Sequence, residues 1–255
     1  MNSHQLNKTL QTIKNYVDSD DYWRGKNALI IGDSYSDPSN SHPKWYAYLE
    51  SMLGLNILRN YSVGGYRICP KRFDEDVENG KDDNYNHYNF HNTYDYTNIQ
   101  VIIISTGIND FFTSVPIGEV KGAEITVYTP EEDKPDPNTF IGAYEIILMD
   151  IMTRACTADQ PLPLVVLCTP TNSHTIGAYK NSNNLCTEDY ANAIHKIAQA
   201  WGCAVCDWNK GSGWNAQTTY ENIRGIKAFA SDGCHPNEIG AERLGRMVVN
   251  TIRLF

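Results

Sequence analysis

Residues of the types that perform acyl transfer recur along the chain: Ser34 in "IIGDSYS", Gly64 and Gly65 in "NYSVGGY", Asn109 in "GIND", and Asp232 with His235 in "SDGCHP". A serine hydroxyl becomes a nucleophile when an imidazole takes its proton. The imidazole needs a carboxylate to hold its tautomer, and the oxyanion formed on attack needs hydrogen-bond donors. Asp232 and His235 stand three residues apart in one turn, close enough to touch without help from the rest of the fold. Asp232 favours an imidazolium at His235, while the helix start that follows opposes it. Asn109 carries an amide donor, and the glycine pair lets a backbone N–H come close to a substrate. Singly, each is commonplace: a serine after a strand is a turn or a cap, paired glycines and Asn-Asp make turns, and Asp-x-x-His can cap a helix. Their joint occurrence, in order, is what points to a site.

Such residues act together only if the elements between them bring them to one edge. Aliphatic runs recur at 28–31 ("ALII"), 101–104 ("VIII") and 164–167 ("LVVL"), with weaker ones at 56–62 and 203–208. Continuous runs of this kind suit strands buried on both faces. Between them Tyr190, Ile194, Ile197 and Trp201 share a helical face, and Thr187, Glu188 and Asp189 make a helix start. Near the C-terminus Ala241, Leu244, Val248, Ile252 and Phe255 repeat at three and four, with Pro236 placed in the first turn. The alternation predicts a single α/β domain, a parallel sheet with helices on both faces. Sites in such sheets gather at the carboxyl ends of the strands. Ser34 then follows the first strand, the glycines the second and Asn109 the third.

Composition narrows the function classes. A formal charge of -9 on 255 residues repels polyanions, so nucleic acid is not an expected partner. No run approaches the roughly 18 apolar residues that span a bilayer. The start "MNSHQLNKTL" has neither the basic end nor the apolar core of a signal peptide, which predicts a cytoplasmic protein. Export by another route or residence in a virion would leave the same pattern. The seven cysteines are scattered and read as reduced core residues. Cys203 and Cys206 would face opposite sides of a strand, so no metal is expected there. His87 and His91 have the spacing of a helical ligand pair, but the Asn, Asp and Tyr around them predict a solvated loop. No Gly-x-Gly-x-x-Gly follows the first strand and no phosphate loop occurs, which argues against a nucleotide cofactor.

Residues 1–26 read as a helical extension, with Leu6, Leu10, Ile13 and Val17 on one stripe that packs on the domain or docks another subunit or protein. Residues 27–255 form the domain, with inserted loops at about 66–98, 111–138 and 171–184. The first loop is rich in Tyr, Phe, Asn and Asp, side chains that stack on and hydrogen-bond to sugars. Arg59, Arg67, Lys71 and Arg72 cluster at the glycine turn, and Arg67 and Lys71 are candidate substrate-binding residues for an anionic substrate. The alternative is that these charges pair with "DEDVE" just beyond.

The blocks "GDSYS", "NYSVGGY", "GIND" and "DGCH" resemble those of the SGNH, or GDSL-like, hydrolases, from about residue 27 to the C-terminus. The resemblance implies a three-layer α/β/α sandwich with a flavodoxin-like parallel sheet, and ester hydrolysis without metal or cofactor. It implies Ser34 as nucleophile, His235 as base and Asp232 as its acid, with an oxyanion hole from the Ser34 and Gly65 backbone and the Asn109 amide. The sequence departs from the family pattern with Tyr35 in place of leucine. The second glycine leaves Gly64 as a rival donor, and Asn60, five residues before Gly65, favours Gly65. Ser36 stands where the Gly-x-Ser-x-Gly elbow of another hydrolase group has glycine. Polar, aromatic loops favour short acyl groups, above all acetyl esters on carbohydrate. A lipid-directed esterase or lysophospholipase, and an idle carbohydrate-binding or virion or surface module on the same fold, are the alternative readings.

Overall fold

Aliphatic runs without polar interruption are stable only where both faces of the strand are covered. The computed structural model describes residues 5, 22–70, 85–125, 129–157, 160–172, 180–215, 218, 229–230 and 232–255. Strands β1 (Asn27–Gly32), β2 (Asn56–Asn60), β3 (Val101–Ser105), β4 (Leu164–Cys168) and β5 (Ala204–Cys206) pair in parallel, in the order β2-β1-β3-β4-β5. Helix α1 (Ala47–Leu53) joins β1 to β2. Helices α2 (Ile108–Phe112) and α3 (Phe140–Arg154) follow β3, and α4 (Thr187–Trp201) follows β4. Helices α5 (Trp208–Gly211) and α6 (Glu238–Ile252) complete the chain.

Side chains alternate along a strand, so each strand feeds two cores. Leu29, Ile31, Ile102, Ile104 and Leu167 pack with Phe140, Tyr144 and Ile147 of α3 and Tyr190, Ile194 and Ile197 of α4. Ala28, Ile30, Val101, Ile103 and Val166 pack with Leu49 and Leu53 of α1 and Leu244, Val248 and Ile252 of α6. The result is the three-layer α/β/α arrangement. Cys206 sits beside Cys168 in the second core while Cys203 packs against the first, and all seven cysteines are free thiols. No helix among the described residues is long and apolar enough to cross a membrane.

Helix ends follow the capping chemistry of their sequences. Thr139 Oγ1 accepts the Gly142 N–H at the start of α3, and Asp189 accepts the Cys186 N–H (2.8 Å) at the start of α4. The last helix differs from expectation at both ends. Asn237 caps it by accepting the Gly240 N–H (3.0 Å), and Pro236 stays outside, bridged to Ala230. An asparagine satisfies a first-turn donor, which a proline cannot do. Phe255 lies beyond the helix end and is 64% exposed.

The reading of the stretch around His87 and His91 as a solvated loop is corrected at His87. His87, Tyr94 and Tyr96 are buried, and Tyr94 and Tyr96 join the first core. His87 Nε2–H donates to the Gly32 carbonyl (2.9 Å) and Nδ1 accepts from the Tyr94 hydroxyl (2.7 Å). His91 instead opens a short 3₁₀ turn, His91–Thr93. The loop after α2 is tied down by the buried Glu145 of α3, which accepts the N–H groups of Lys121 (2.9 Å) and Gly122 (2.7 Å) and of the Trp201 indole (3.0 Å). The N-terminal stripe of Leu6, Leu10, Ile13 and Val17 lies outside the described residues.

Candidate active site

Strand order decides where a site can form. The chain leaves β1 for β2 on one side and then crosses to β3 on the other, so a crevice opens at the carboxyl ends of β1 and β3. Ser34 stands at one lip of it and Asn109 at the other.

The turn after β1 is built on Asp33, whose carboxylate accepts the Tyr35 N–H and whose carbonyl accepts the Ser36 N–H (both 3.0 Å). Ser36 Oγ then meets Ser105 Oγ (2.7 Å) and the Trp45 indole N–H (2.8 Å), which locks the turn to the end of β3. A Cβ on Gly32 would lie 2.6 Å from Ser105 Oγ, so this approach requires glycine. Ser34 is left half-buried, and its N–H has no partner among the described residues.

After β2 the two glycines separate cleanly. The Gly64 N–H is spent on the Asp37 carboxylate (2.7 Å), whereas Gly65, at φ +82°, keeps its N–H without a partner among the described residues. Asn60 holds this turn by donating to the Ser36 carbonyl (2.9 Å) and accepting the Ser62 N–H (2.9 Å). After β3, Asn109 lies in the first turn of α2 and donates one amide hydrogen to the Tyr66 carbonyl (2.9 Å). Its second amide hydrogen remains available.

The turn before α6 brings the remaining groups. Asp232 accepts the Cys234 N–H (2.9 Å), the His235 N–H (2.7 Å) and His235 Nδ1–H (2.7 Å). His235 Nε2 lies 2.9 Å from Ser34 Oγ. This is the tautomer in which Nε2 can take a proton from the serine. Partial burial pulls the Asp232 pKa up, but the bonds from His235 and the two N–H groups outweigh it and hold the carboxyl below its ordinary range. Residues separated by up to 201 positions in sequence thus form one chain of hydrogen bonds.

Residues 30–243 match the model of the GDSL-like Lipase/Acylhydrolase family. The chain belongs to that family. Among solved structures the chain is similar to one described as a possible lipase from Chitinophaga pinensis, at 16% identity and TM-score 0.63, covering 89% of this chain and 98% of that one. It is similar to an acetyl xylan esterase at 17% identity and TM-score 0.53, covering 88% and 98%. It is also similar to an acetyl-xylooligosaccharide esterase from Geobacillus Stearmophilus at 16% identity and TM-score 0.51, covering 90% and 94%. No curated protein matches the sequence.

The departure of this GDSL-like chain at Tyr35 has a structural use. Tyr35 is buried, and its hydroxyl donates to the Cys234 carbonyl (2.7 Å) and meets Thr171 Oγ1 (2.9 Å), tying the Ser34 turn to the His235 turn. Leucine could make neither bond. Burial drives the Tyr35 pKa well above its ordinary value, so the hydroxyl keeps its proton. The sequence reading also missed the loop after Ser34. Asn40 Nδ2 donates to the Ser34 carbonyl (2.6 Å), and the Lys44 ammonium donates to the carbonyls of Asp37 (2.5 Å) and Asn40 (2.9 Å). That loop lays the His42 ring on His235. No local pattern in "SDPSNSHPKW" announces these contacts.

The described members of the basic cluster, Arg59 and Arg67, are engaged within the fold. Arg67 is buried and its guanidinium turns inward to the carbonyls of Cys69 (3.3 Å) and Pro70 (3.1 Å), near Asp110. A guanidinium spent on main-chain carbonyls is not free to receive a substrate anion. Arg59 pairs with Asp95 and donates to the Thr97 carbonyl (2.8 Å). Lys71 and Arg72, with the acidic run after them, lie outside the described residues. His42, Asp232 and His235 bring donor atoms within 4.8 Å of one another. The two rings are parallel, so their in-plane lone pairs run side by side rather than converge, and the triplet as it stands is not a chelate.

Proposed function

We propose that the protein is a serine ester hydrolase that removes short acyl groups, above all acetyl, from a carbohydrate or a related polar ester. The observation that carries the reaction type is the hydrogen-bonded series Ser34 Oγ, His235 Nε2 (2.9 Å), His235 Nδ1 and Asp232 Oδ2 (2.7 Å). Ser34 Oγ attacks the ester carbonyl as His235 Nε2 takes its proton. The Ser34 and Gly65 N–H groups and the second Asn109 amide hydrogen stabilise the oxyanion. His235 then protonates the departing alcohol and later takes a proton from the water that opens the acyl-enzyme. Asp232 keeps the imidazole in the required tautomer and steadies the imidazolium.

The acyl and alcohol preferences rest on what surrounds Ser34: Asp37, Asn40, His42 and the glycine turn, a polar setting suited to a small acyl group and a hydroxylated alcohol. The fold relative named for acetyl-xylooligosaccharides supports the same substrate class.

Hydrolysis of 4-nitrophenyl acetate and 4-nitrophenyl octanoate by the purified protein, with Ser34→Ala as control, tests the reading. Ser34-dependent turnover favouring acetate is expected, and Asn109→Ala should lower kcat about a hundred- to a thousandfold. Octanoate preference would move the substrate to lipids. Wild type and Ser34→Ala equally inert toward both esters would sink the reading.

A further inference from the structure

The face of the candidate base is covered by a second imidazole to which ester hydrolysis assigns no task. The rings of His42 and His235 are parallel to within 4°, with centroids 4.2 Å apart. Neither ring nitrogen of His42 has a hydrogen-bond partner among the described residues, so the stack is what orders the side chain. Its backbone is fixed independently: the His42 N–H donates to Asn40 Oδ1 (3.0 Å), Lys44 Nζ donates to the same oxygen (2.6 Å), and Asn40 Nδ2 donates to the Ser34 carbonyl (2.6 Å). The loop that carries the nucleophile therefore also carries the ring that covers the base.

We propose that His42 is a positioning residue for His235, whose flat ring restrains rotation of the base and covers one of its faces, so that Nε2 stays aimed at Ser34 Oγ. The inference rests on the Ser34–His235–Asp232 reading of the reaction. An imidazole rotates about its terminal torsion in a broad, shallow well, and a parallel ring at van der Waals contact narrows that well. A neutral ring face is also a favourable neighbour for the imidazolium formed during attack. The charged and titratable groups facing His42 are His235, Asp232 and Lys44. Burial and the positive charge of His235 hold His42 below the ordinary imidazole range, against an opposing pull from Asp232 and with a further push from Lys44.

The test compares wild type, His42→Ala and His42→Phe by steady-state kinetics on 4-nitrophenyl acetate and by proton NMR of the Nδ1 hydrogen shared by His235 and Asp232. His42→Ala should lower kcat about tenfold and leave KM within about twofold, the signature of a misaimed base rather than a lost binding contact. His42→Phe, which keeps the flat face, should recover kcat to within about threefold of wild type. The Nδ1 resonance should persist in wild type and His42→Phe and broaden in His42→Ala. Wild-type kcat with an unbroadened resonance in His42→Ala would overturn the proposal. Equal impairment of the alanine and phenylalanine variants would overturn it too, because a ring nitrogen and not the ring face would then matter. Absence of Ser34-dependent turnover in the wild type would count against the hydrolase reading alone, and the NMR comparison would still decide the stack.

Discussion

Tyr35 shows how one side chain couples two parts of the candidate site that are far apart in sequence. Its hydroxyl spans from the turn that carries Ser34 to Thr171 Oγ1 (2.9 Å) and to the Cys234 carbonyl (2.7 Å), within the turn that carries Asp232 and His235. Removing that oxygen leaves a carbonyl and a hydroxyl short of partners in a largely buried setting, which costs about 1–3 kcal/mol. Tyr35→Phe should therefore lower the urea midpoint by a corresponding amount. It should also reduce kcat about three- to tenfold at nearly constant KM, because the histidine turn is less firmly docked. Unchanged kcat with reduced stability would mean that Tyr35 supports the fold alone. Beneath the site Asp33 and Asp110 are fully enclosed, and burial raises their carboxyls to about 7 and about 6. The Ile68 and Cys69 N–H groups (3.0 Å each) hold Asp110 down in part.

At the level of elements, the segment 85–98 reaches back to the turn that carries Ser34 through the buried imidazole of His87. His87 donates to the Gly32 carbonyl and accepts from Tyr94, a pattern open only to the neutral ring, and burial pushes its pKa down to about 4. The unfolded chain binds a proton on this histidine below about pH 6.5 while the folded chain does so only near 4. Its contribution to stability is thus fully present above pH 6.5 and is lost as pH falls from there toward 4. Asp33 and Asp110 act in the opposite sense, since carboxyls raised on folding contribute stability at low pH that is lost as pH rises. Comparing wild type with His87→Gln cancels those two contributions. Between pH 7 and pH 4.5 the wild type should lose about 2 kcal/mol more than the variant in urea unfolding. Parallel pH curves for the two proteins would show that His87 is not held neutral.

Across the whole molecule, the two cores meet at the central strands, and β3 is buried along its entire length. Ile103 points into the core shared with α1 and α6, with no exposed surface. Ile103→Ala should lower unfolding free energy by about 3 kcal/mol, read from chemical denaturation, because a close-packed interior cannot collapse fully around the lost atoms. The folded fraction should keep its KM, since the crevice is built from the loops beyond the strands rather than from this layer. A loss well under 1 kcal/mol would mean that α1 and α6 repack onto the sheet more freely than the close contact implies.

The amino-acid sequence by itself determined the α/β alternation, the strand positions and the four turns that hold Ser34, Gly65, Asn109 and the Asp232–His235 pair. These are local signals: runs of β-branched residues, helical periodicity, and polar or glycine residues where strands end. The Asp232–His235 contact was legible for the same reason, being closed within one turn. Only the tertiary structure decided that Asp37 takes the Gly64 N–H and leaves that of Gly65, that Tyr35 clamps the histidine turn, and that His42 covers His235. The same holds for Arg67, which the sequence offered as a candidate substrate contact, and for His87, which it placed in a solvated loop: the fold buries both with hydrogen-bond partners. Apart from the local bonds of Arg67 to Cys69 and Pro70, such contacts join residues tens to hundreds of positions apart and carry no period, because they are set by strand order and close packing rather than by local backbone preference.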